Sequence, residues 1–302
     1  MSRPVLFRVP ASTANLGAGF DALSLALNRY LRISIQPADQ TQIEATGIDA
    51  KLIPTTEENL ICRVVASVAK RRGRTLPPYH LKIENEIPLA RGMGSSAAAI
   101  IAGITCYEAL AGDWLIEQEL FRCAFEFESH PDNLAAALFG NLISAAVAED
   151  GTVLVSKLTI PGKIAAVVVI PTFELSTEKA RSVLPATYTR KDAVYNIQRA
   201  ALTIAALTTG NWSLIREAMR DRIHQPYRAQ LIPGLEEILA LEIKGLLGVA
   251  LSGAGPTVFA FVDPKRIDEV RNALTKTFER NGVEATSHLL DIDTTGRLID
   301  PS

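Results

Sequence analysis

The sequence predicts a two-domain α+β protein. Its 302 residues exceed the roughly 100–200 residues of one ordinary domain. Strand-like and helix-like patterns interleave without a strict strand–helix–strand repeat, which argues against a parallel doubly wound sheet. Pro161-Gly162 punctuates residues 158–163, and a fully apolar strand comes next. The expected division is therefore 1–160 and 161–302.

Residues 5–9 read as an opening strand and PASTANLGAGFDA as a loop; residues 23–36 alternate loosely enough for one or two strands. Thr55-Thr56-Glu57-Glu58 has the form of a capping box and predicts a helix over 57–72. A strand at 79–84 leads to a Gly/Ser loop and a helix over 95–111. A helix over 116–128 stops at SHPDN, where Pro131 suits the first turn of another short helix. Residues 140–147 and 152–157 predict a hairpin. The second half opens with the strand 164–170 and continues with helices near 177–184, 192–208, 212–222 and 234–241. Strands at 246–251 and 257–262 flank a glycine turn; a helix over 265–281 and a strand near 286–290 close the chain.

Composition narrows the function classes. Apolar content of 48% with 21% charged residues suits a folded core, and a net charge of −2 gives no whole-chain pull toward nucleic acid or membrane. Small molecules are the expected partners. Cys62, Cys106 and Cys123 are far apart with no CxxC, which reads as buried thiols in a reducing cytoplasm. No secretory leader is visible, and the longest apolar run, residues 97–111, is short of the roughly 20 residues a membrane span needs.

Three glycine loops carry the chemistry. The first, Gly17-Ala18-Gly19-Phe20-Asp21-Ala22, has the form GxGxxA with Asp39 downstream. A dinucleotide site needs a strand running directly into the first glycine, and the turn-like segment 10–15 intervenes, so a structural turn is the competing reading. The second is PLARGMGSSAAAI, residues 88–100. It lacks the lysine of GxxxxGK[ST], so a bound phosphate would be met by backbone amides, a helix start and the Ser95 and Ser96 hydroxyls. A plain serine N-cap is the alternative. The third, Ser252-Gly253-Ala254-Gly255-Pro256-Thr257, is either a tight hairpin or a close backbone approach to a ligand.

Together with their flanks, the loops resemble the three signature motifs of the GHMP small-molecule kinases, and within that superfamily the homoserine kinases. The motifs are VPASTANLGAGFDALSLAL, PLARGMGSSAAAI and LSGAGPTVFAF, with EFESHPDNLAAALFG, LSTEKARSVLP and HQPYRAQLIPG between them. The resemblance runs from Arg8 to Phe261. It implies a ribosomal-S5-domain-2-like N-terminal part that binds ATP, a ferredoxin-like C-terminal part, and transfer of the ATP γ-phosphoryl group to the side-chain hydroxyl of L-homoserine. It also suggests a homodimer in the cytoplasm.

The family pattern implies roles residue by residue. Pro88, Leu89, Ala90, Arg91, Gly92, Met93, Gly94, Ser95, Ser96, Ala97 and Ala98 would cradle ATP, with Asn59 near the adenine. Ser96 and a glutamate from the following helix would hold Mg2+; Glu126 is the first choice and Glu128 its rival. Asp21 suits the substrate ammonium, and Arg181 and Arg228 suit its carboxylate, because guanidinium binds carboxylate bidentately. Asn15, His130, Asn133, Thr177 and Gly253 match positions near the substrate. Several relatives carry an aspartate where this chain has Asn133, which cannot accept a proton. Asn133 and Arg181 are thus expected to align the reactants with no strong base, and Asp132 is expected to point elsewhere. The rival readings are another kinase of the superfamily acting on a different alcohol, a non-catalytic ATP-binding module, and a dinucleotide-dependent oxidoreductase. Retention of Ser96 and a candidate metal glutamate argues against the second.

Overall fold

A computed structural model describes residues 3–300 of the chain. The first half builds a seven-stranded sheet from β1 (Val5–Ala14), β2 (Leu23–Pro37), β3 (Gln42–Gly47), β4 (Tyr79–Asn85), β5 (Leu142–Val147), β6 (Val153–Leu158) and the late β11 (Leu298–Ile299). The strands run β11-β1-β2-β4-β3, and β5 joins the start of β2 and carries β6. On the edge away from β1, β2 serves two partners because it is long: Leu31–Pro37 pairs with β4, while Leu23–Leu25 pairs with β5. Helices α2 (Ser95–Ala111) and α4 (Pro131–Phe139) pack on this sheet, and α1 (Leu60–Arg71) and α3 (Glu117–Ala124) pack against those helices. α2 buries nearly all its length from Ala97 to Glu108, as expected of a helix that is apolar all round.

The second half adds α5 (Thr177–Ser182), α6 (Arg190–Thr209), α7 (Ile215–Ala218), α8 (Gln225–Arg228), α9 (Leu235–Ala240) and α10 (Ile267–Arg280) around a four-stranded antiparallel sheet. Its order is β10 (Ala285–Leu290), β7 (Ala165–Pro171), β9 (Val258–Val262), β8 (Leu246–Leu251). β7 is buried along its whole length. Alternation of side chains sends Ala166, Val168 and Ile170 into the core shared with the first sheet. Val167 and Val169 enter a second core with Ile238 of α9 and Leu274 and Phe278 of α10. The two halves therefore share one core. The tail also returns to the first sheet: Arg297 Nη1 donates to the buried Glu108 Oε2 at 2.6 Å, and β11 pairs with β1. This revises the simple division at residue 160.

Several expected bounds shift for identifiable reasons. β1 continues to Ala14 because Ala11–Ala14 pair with β2 beyond a bulge after Pro10. α1 begins at Leu60, capped by Asn59, whose Oδ1 accepts the Ile61 N–H, so the Thr55–Glu58 box does not start it. α3 stops at Ala124, and Glu126 and Glu128 fall in the turn after it. The helix expected over 212–222 is reduced to a 3-10 turn and the short α7. β3 has no counterpart in the sequence pattern; it is mostly exposed and pairs parallel with β4. All three cysteines are free and buried. No helix among the described residues is long and apolar enough to cross a membrane.

Candidate active site

The three glycine loops meet where the two sheets join. Ser252 Oγ donates to the Gly92 carbonyl at 2.6 Å, Thr257 N–H donates to the Arg91 carbonyl, and Gly253 N–H reaches the Ala14 carbonyl at the end of β1. Gly92 has φ +76°, and a Cβ there would lie 2.2 Å from the Ser252 carbonyl oxygen. The first loop docks on the C-terminal half: a Cβ on Gly17 would meet the Met219 carbonyl oxygen at 1.9 Å, and the Gly17 carbonyl accepts from His224 Nε2. The segment before Gly17 is strand almost to the glycine, not the turn expected over 10–15, so its shape does not exclude a dinucleotide site. The element after the loop does: it is the strand β2, where a dinucleotide site needs a helix.

The second loop forms one side of a cleft of about 270 Å³, lined by Ala90, Gly92, Gly94, Ser95, Ser96 and Ala97 with Glu128, Asn133 and Thr177 opposite. Gly94 at φ +70° is the N-cap of α2 and has no side chain to cap it, so the first-turn N–H groups face the cleft. The serines lie inside the first turn; neither is the cap. Among the described residues no cation from the loop itself enters this cleft. Arg91 is turned away: Nη1 donates to Asp49 Oδ2 at 2.8 Å and to the Leu89 carbonyl, and Nη2 donates to the Thr172 carbonyl. It braces the loop against the segment after β7, and its expected contact with ATP is corrected on that ground. Pro88 and Met93 do not line the cleft; Met93 is buried in the core. An apolar slot of about 240 Å³ continues from Ser95 and Ser96 past Leu52, Pro54, Leu60 and Ala99. Asn59 borders it, with its amide already spent on the cap and on the Pro54 carbonyl.

A small polar pocket of about 60 Å³ adjoins the cleft and shares Glu128, Asn133, Thr177, Gly253 and Ala254 with it. Here Arg181 grips Asp21 with both terminal nitrogens, at 2.7 and 3.2 Å. Asp21 is thus already paired, so the ammonium it is expected to meet would have to share it with Arg181. Its N–H is held by Asn15 Oδ1, and Asn15 Nδ2 donates to the Gly253 carbonyl. Asn15 and Gly253 shape the wall through these bonds. Arg228 is 1% exposed; it donates to the carbonyls of Ala180 and Gly253 and faces His224 Nδ1. Burial, then the nearby Arg181 charge, lowers its guanidinium to about 10. The Phe20 ring stacks on His224 and lies 5.4 and 5.3 Å from the two guanidinium carbons. Burial also lowers the pKa of His224.

Glu128 accepts from His130 Nδ1 at 2.7 Å, and this bond raises the pKa of His130. Burial pushes Glu128 up, but the His130 hydrogen bonds and charge outweigh it and the carboxyl stays below its usual range. Glu126 is elsewhere: Arg71 Nη1 reaches its Oε1 at 2.8 Å and Ser67 donates to its Oε2. The structure therefore brings Glu128, and not Glu126, to the cleft beside Ser96. The residue sequence reasoning set aside is Asp132. The residue borders the polar pocket, and its buried carboxyl accepts the Asn133 N–H at 2.7 Å and is raised by burial to about 7. Phe20 and His224, also missed, back this pocket from behind Arg181 and Arg228; both stand within quoted motifs, as does Asp132, but a motif carries no signal for the direction of a side chain. Larger clefts of about 430 and 480 Å³ lie away from the glycine loops, so size alone does not select the site.

Comparison with known proteins agrees with this geometry. Residues 59–141 match the GHMP kinases N terminal domain and residues 203–280 the GHMP kinases C terminal family. A homoserine kinase of Solibacter usitatus is 45% identical over 91% of this chain and 90% of its own length, and one of Deinococcus radiodurans is 42% identical over 99% and 98%. The crystal structure of a homoserine kinase from Cytophaga hutchinsonii superposes with a TM-score of 0.85 at 27% identity, covering 99% of this chain and 98% of the other. A galactokinase from Lactococcus lactis, at 14% identity and a TM-score of 0.71 over 98% of this chain and 95% of its own, shares the fold alone. Glycine loops that meet around a bare helix start, beside a pocket of paired arginines and carboxylates, thus sit in a chain that belongs to the homoserine kinases of the GHMP kinase family.

Proposed function

We propose that this chain transfers the γ-phosphoryl group of ATP to the side-chain hydroxyl of L-homoserine, giving O-phospho-L-homoserine for threonine biosynthesis. The observation that carries the reading is the junction of two unlike cavities at Asn133 and Glu128: a backbone cradle on one side and a charged pocket on the other. The cradle suits phosphates, because a helix N-terminus with free N–H groups and close glycine backbone favours an anion. The apolar slot next to it suits the adenine. The pocket suits an amino acid: Arg181 and Arg228 supply positive charge for a carboxylate, and Asp21, once it exchanges its Arg181 partner for the ligand, supplies an anion for an ammonium.

Phosphoryl transfer asks mainly for alignment and charge neutralisation. Asn133 lines both cavities and aligns the hydroxyl in line with the γ-phosphate. Arg181 and Arg228 fix the other end of the substrate. Mg2+ fits Glu128 and Ser96. Among the described residues no cluster of three or more His, Cys, Asp or Glu forms a metal cage, which matches an ion that in kinase sites takes one or two carboxylates plus the phosphates. When bound, it neutralises charge on the β- and γ-phosphates. The hydroxyl proton leaves late, to a phosphoryl oxygen. A second reading gives that proton to Asp132, because its buried carboxyl titrates near neutrality. Loss of an acidic limb in the kcat profile of Asp132→Asn would favour the second reading.

The test of the function is coupled ADP release with Mg-ATP and L-homoserine, L-threonine, L-serine or mevalonate. Turnover is expected to be strongest with L-homoserine. Turnover with mevalonate alone would keep the cradle and remove the substrate assignment.

A further inference from the structure

Ser12 is fully buried in β1, behind Asn133, and the motifs assign it no task. Its backbone N–H donates to the Met93 carbonyl at 3.1 Å, which straps the strand to the second glycine loop. Its hydroxyl donates to Asn133 Oδ1 at 2.7 Å. Gly94 leaves room for that bond: a Cβ there would fall 2.1 Å from Ser12 Oγ and 3.3 Å from Asn133 Oδ1.

A carboxamide has one accepting end and one donating end, and they are chemically opposite. With Oδ1 taken by Ser12, the amide keeps its NH2 end for the cleft it lines. Reversing the amide would let Ser12 Oγ accept from Nδ2, but would leave the hydroxyl hydrogen without a partner. Among the described residues Ser12 Oγ meets no other acceptor, and a buried donor without a partner is costly. Ser12 therefore sets the direction of Asn133.

We infer that Ser12 is a positioning residue for phosphoryl transfer, holding the Asn133 NH2 group toward the acceptor hydroxyl. The hydroxyl then receives a hydrogen bond on one lone pair, and its own hydrogen is left to point at another acceptor. The opposite orientation would have Asn133 Oδ1 compete for that hydrogen and turn the attacking lone pair away. This rests on the reading of Asn133 as the group that aligns the hydroxyl.

The experiment is a double-mutant cycle on the full chain with Mg-ATP and L-homoserine, using Ser12→Ala, Asn133→Ala and the double variant. Ser12→Ala should lower kcat about tenfold with the KM for ATP changed less than about threefold. In the Asn133→Ala background the same substitution should change kcat less than about twofold, because there is no amide left to orient. Ser12→Thr, which keeps the hydroxyl, should recover most of the rate. Equal losses in both backgrounds, or a loss carried by the KM for ATP, would mean that Ser12 only braces the loop, and would overturn the inference while leaving the role of Asn133 intact. An unimpaired Asn133→Ala would overturn both. If Ser12→Ala does not fold, Ser12→Cys takes its place in the cycle: a weak donor of similar shape, expected to lower kcat at unchanged KM and only while Asn133 is present.

Discussion

The phosphate side of the cleft is lined mainly by one continuous stretch, residues 90–97, whereas the acceptor side is lined by residues brought from the β1–β2 segment, the turn before α4 and its first turn, α5, α8 and the third glycine loop. The first carries its positive potential in unpaired N–H groups and needs no cation from its own loop; Arg91 is turned to Asp49. The second crowds Asp21, Glu128, His130, Asp132, Arg181 and Arg228 around a cavity of about 60 Å³, where Arg181 pairs with Asp21 and His130 with Glu128. A backbone site is broken by adding atoms. A side-chain site is broken by changing charge or reach.

The largest effect should come from adding one methyl group to the backbone side. In Gly92→Ala the new Cβ meets the Ser252 carbonyl, backbone that cannot rotate away, at a φ of +76° that alanine disfavours. We expect kcat/KM for ATP to fall by about 10³ or more. ATP affinity by calorimetry within threefold of wild type would show that the loop is not the cradle.

The side-chain half should fail differently. Arg228→Lys keeps the charge but loses the fork that reaches Ala180 and Gly253 together. The KM for L-homoserine should rise by roughly 10², with ATP affinity nearly unchanged. A matched loss of ATP affinity would erase the distinction between the two sides.

A tenfold effect separates the two glutamates. Glu128→Gln should raise the Mg2+ concentration for half-maximal rate by about an order of magnitude. Glu126→Gln should leave it unchanged, since that carboxylate sits with Ser67 and Arg71. The reverse result would return the metal to Glu126.

The same contrast explains what could be read in the sequence. The glycine loops are legible because left-handed backbone and close approach demand glycine at the position itself, as at Gly92 and Gly94. The side-chain pocket is legible in membership but not in direction. Which glutamate enters the cleft depends on α3 stopping at Ala124, where the Phe127 N–H turns back to the Ala124 carbonyl; the helix expected to continue to 128 would present them otherwise. Arg91 looks like a phosphate ligand until Asp49 arrives from forty-two residues away. β1 runs past its apparent end at Val9 because β2 supplies partners for Ala11–Ala14, and pairing of that kind is tertiary.

The smallest effect tests the cost of crowding itself. Asp132 has a carboxyl raised by burial from 3.8 to about 7. The folded state therefore holds this proton across a window, from about pH 4 to pH 7, in which the unfolded chain has lost it. Its contribution to stability is fully present below the unfolded value and is lost as pH rises through 7. Asp132→Asn keeps the shape and cannot ionise, so its melting temperature should gain on wild type between pH 5 and pH 8, by a few degrees at the upper end. An equal difference at both pH values would mean that the carboxyl is ionised throughout, solvated or paired, and that the acceptor pocket tolerates its charges without strain. Measured alongside kcat, the variant also separates cost from use. A stabilised enzyme of normal rate would make Asp132 a passive member of the pocket, and a stabilised enzyme that has lost its acidic limb would make the same strained carboxyl the proton acceptor.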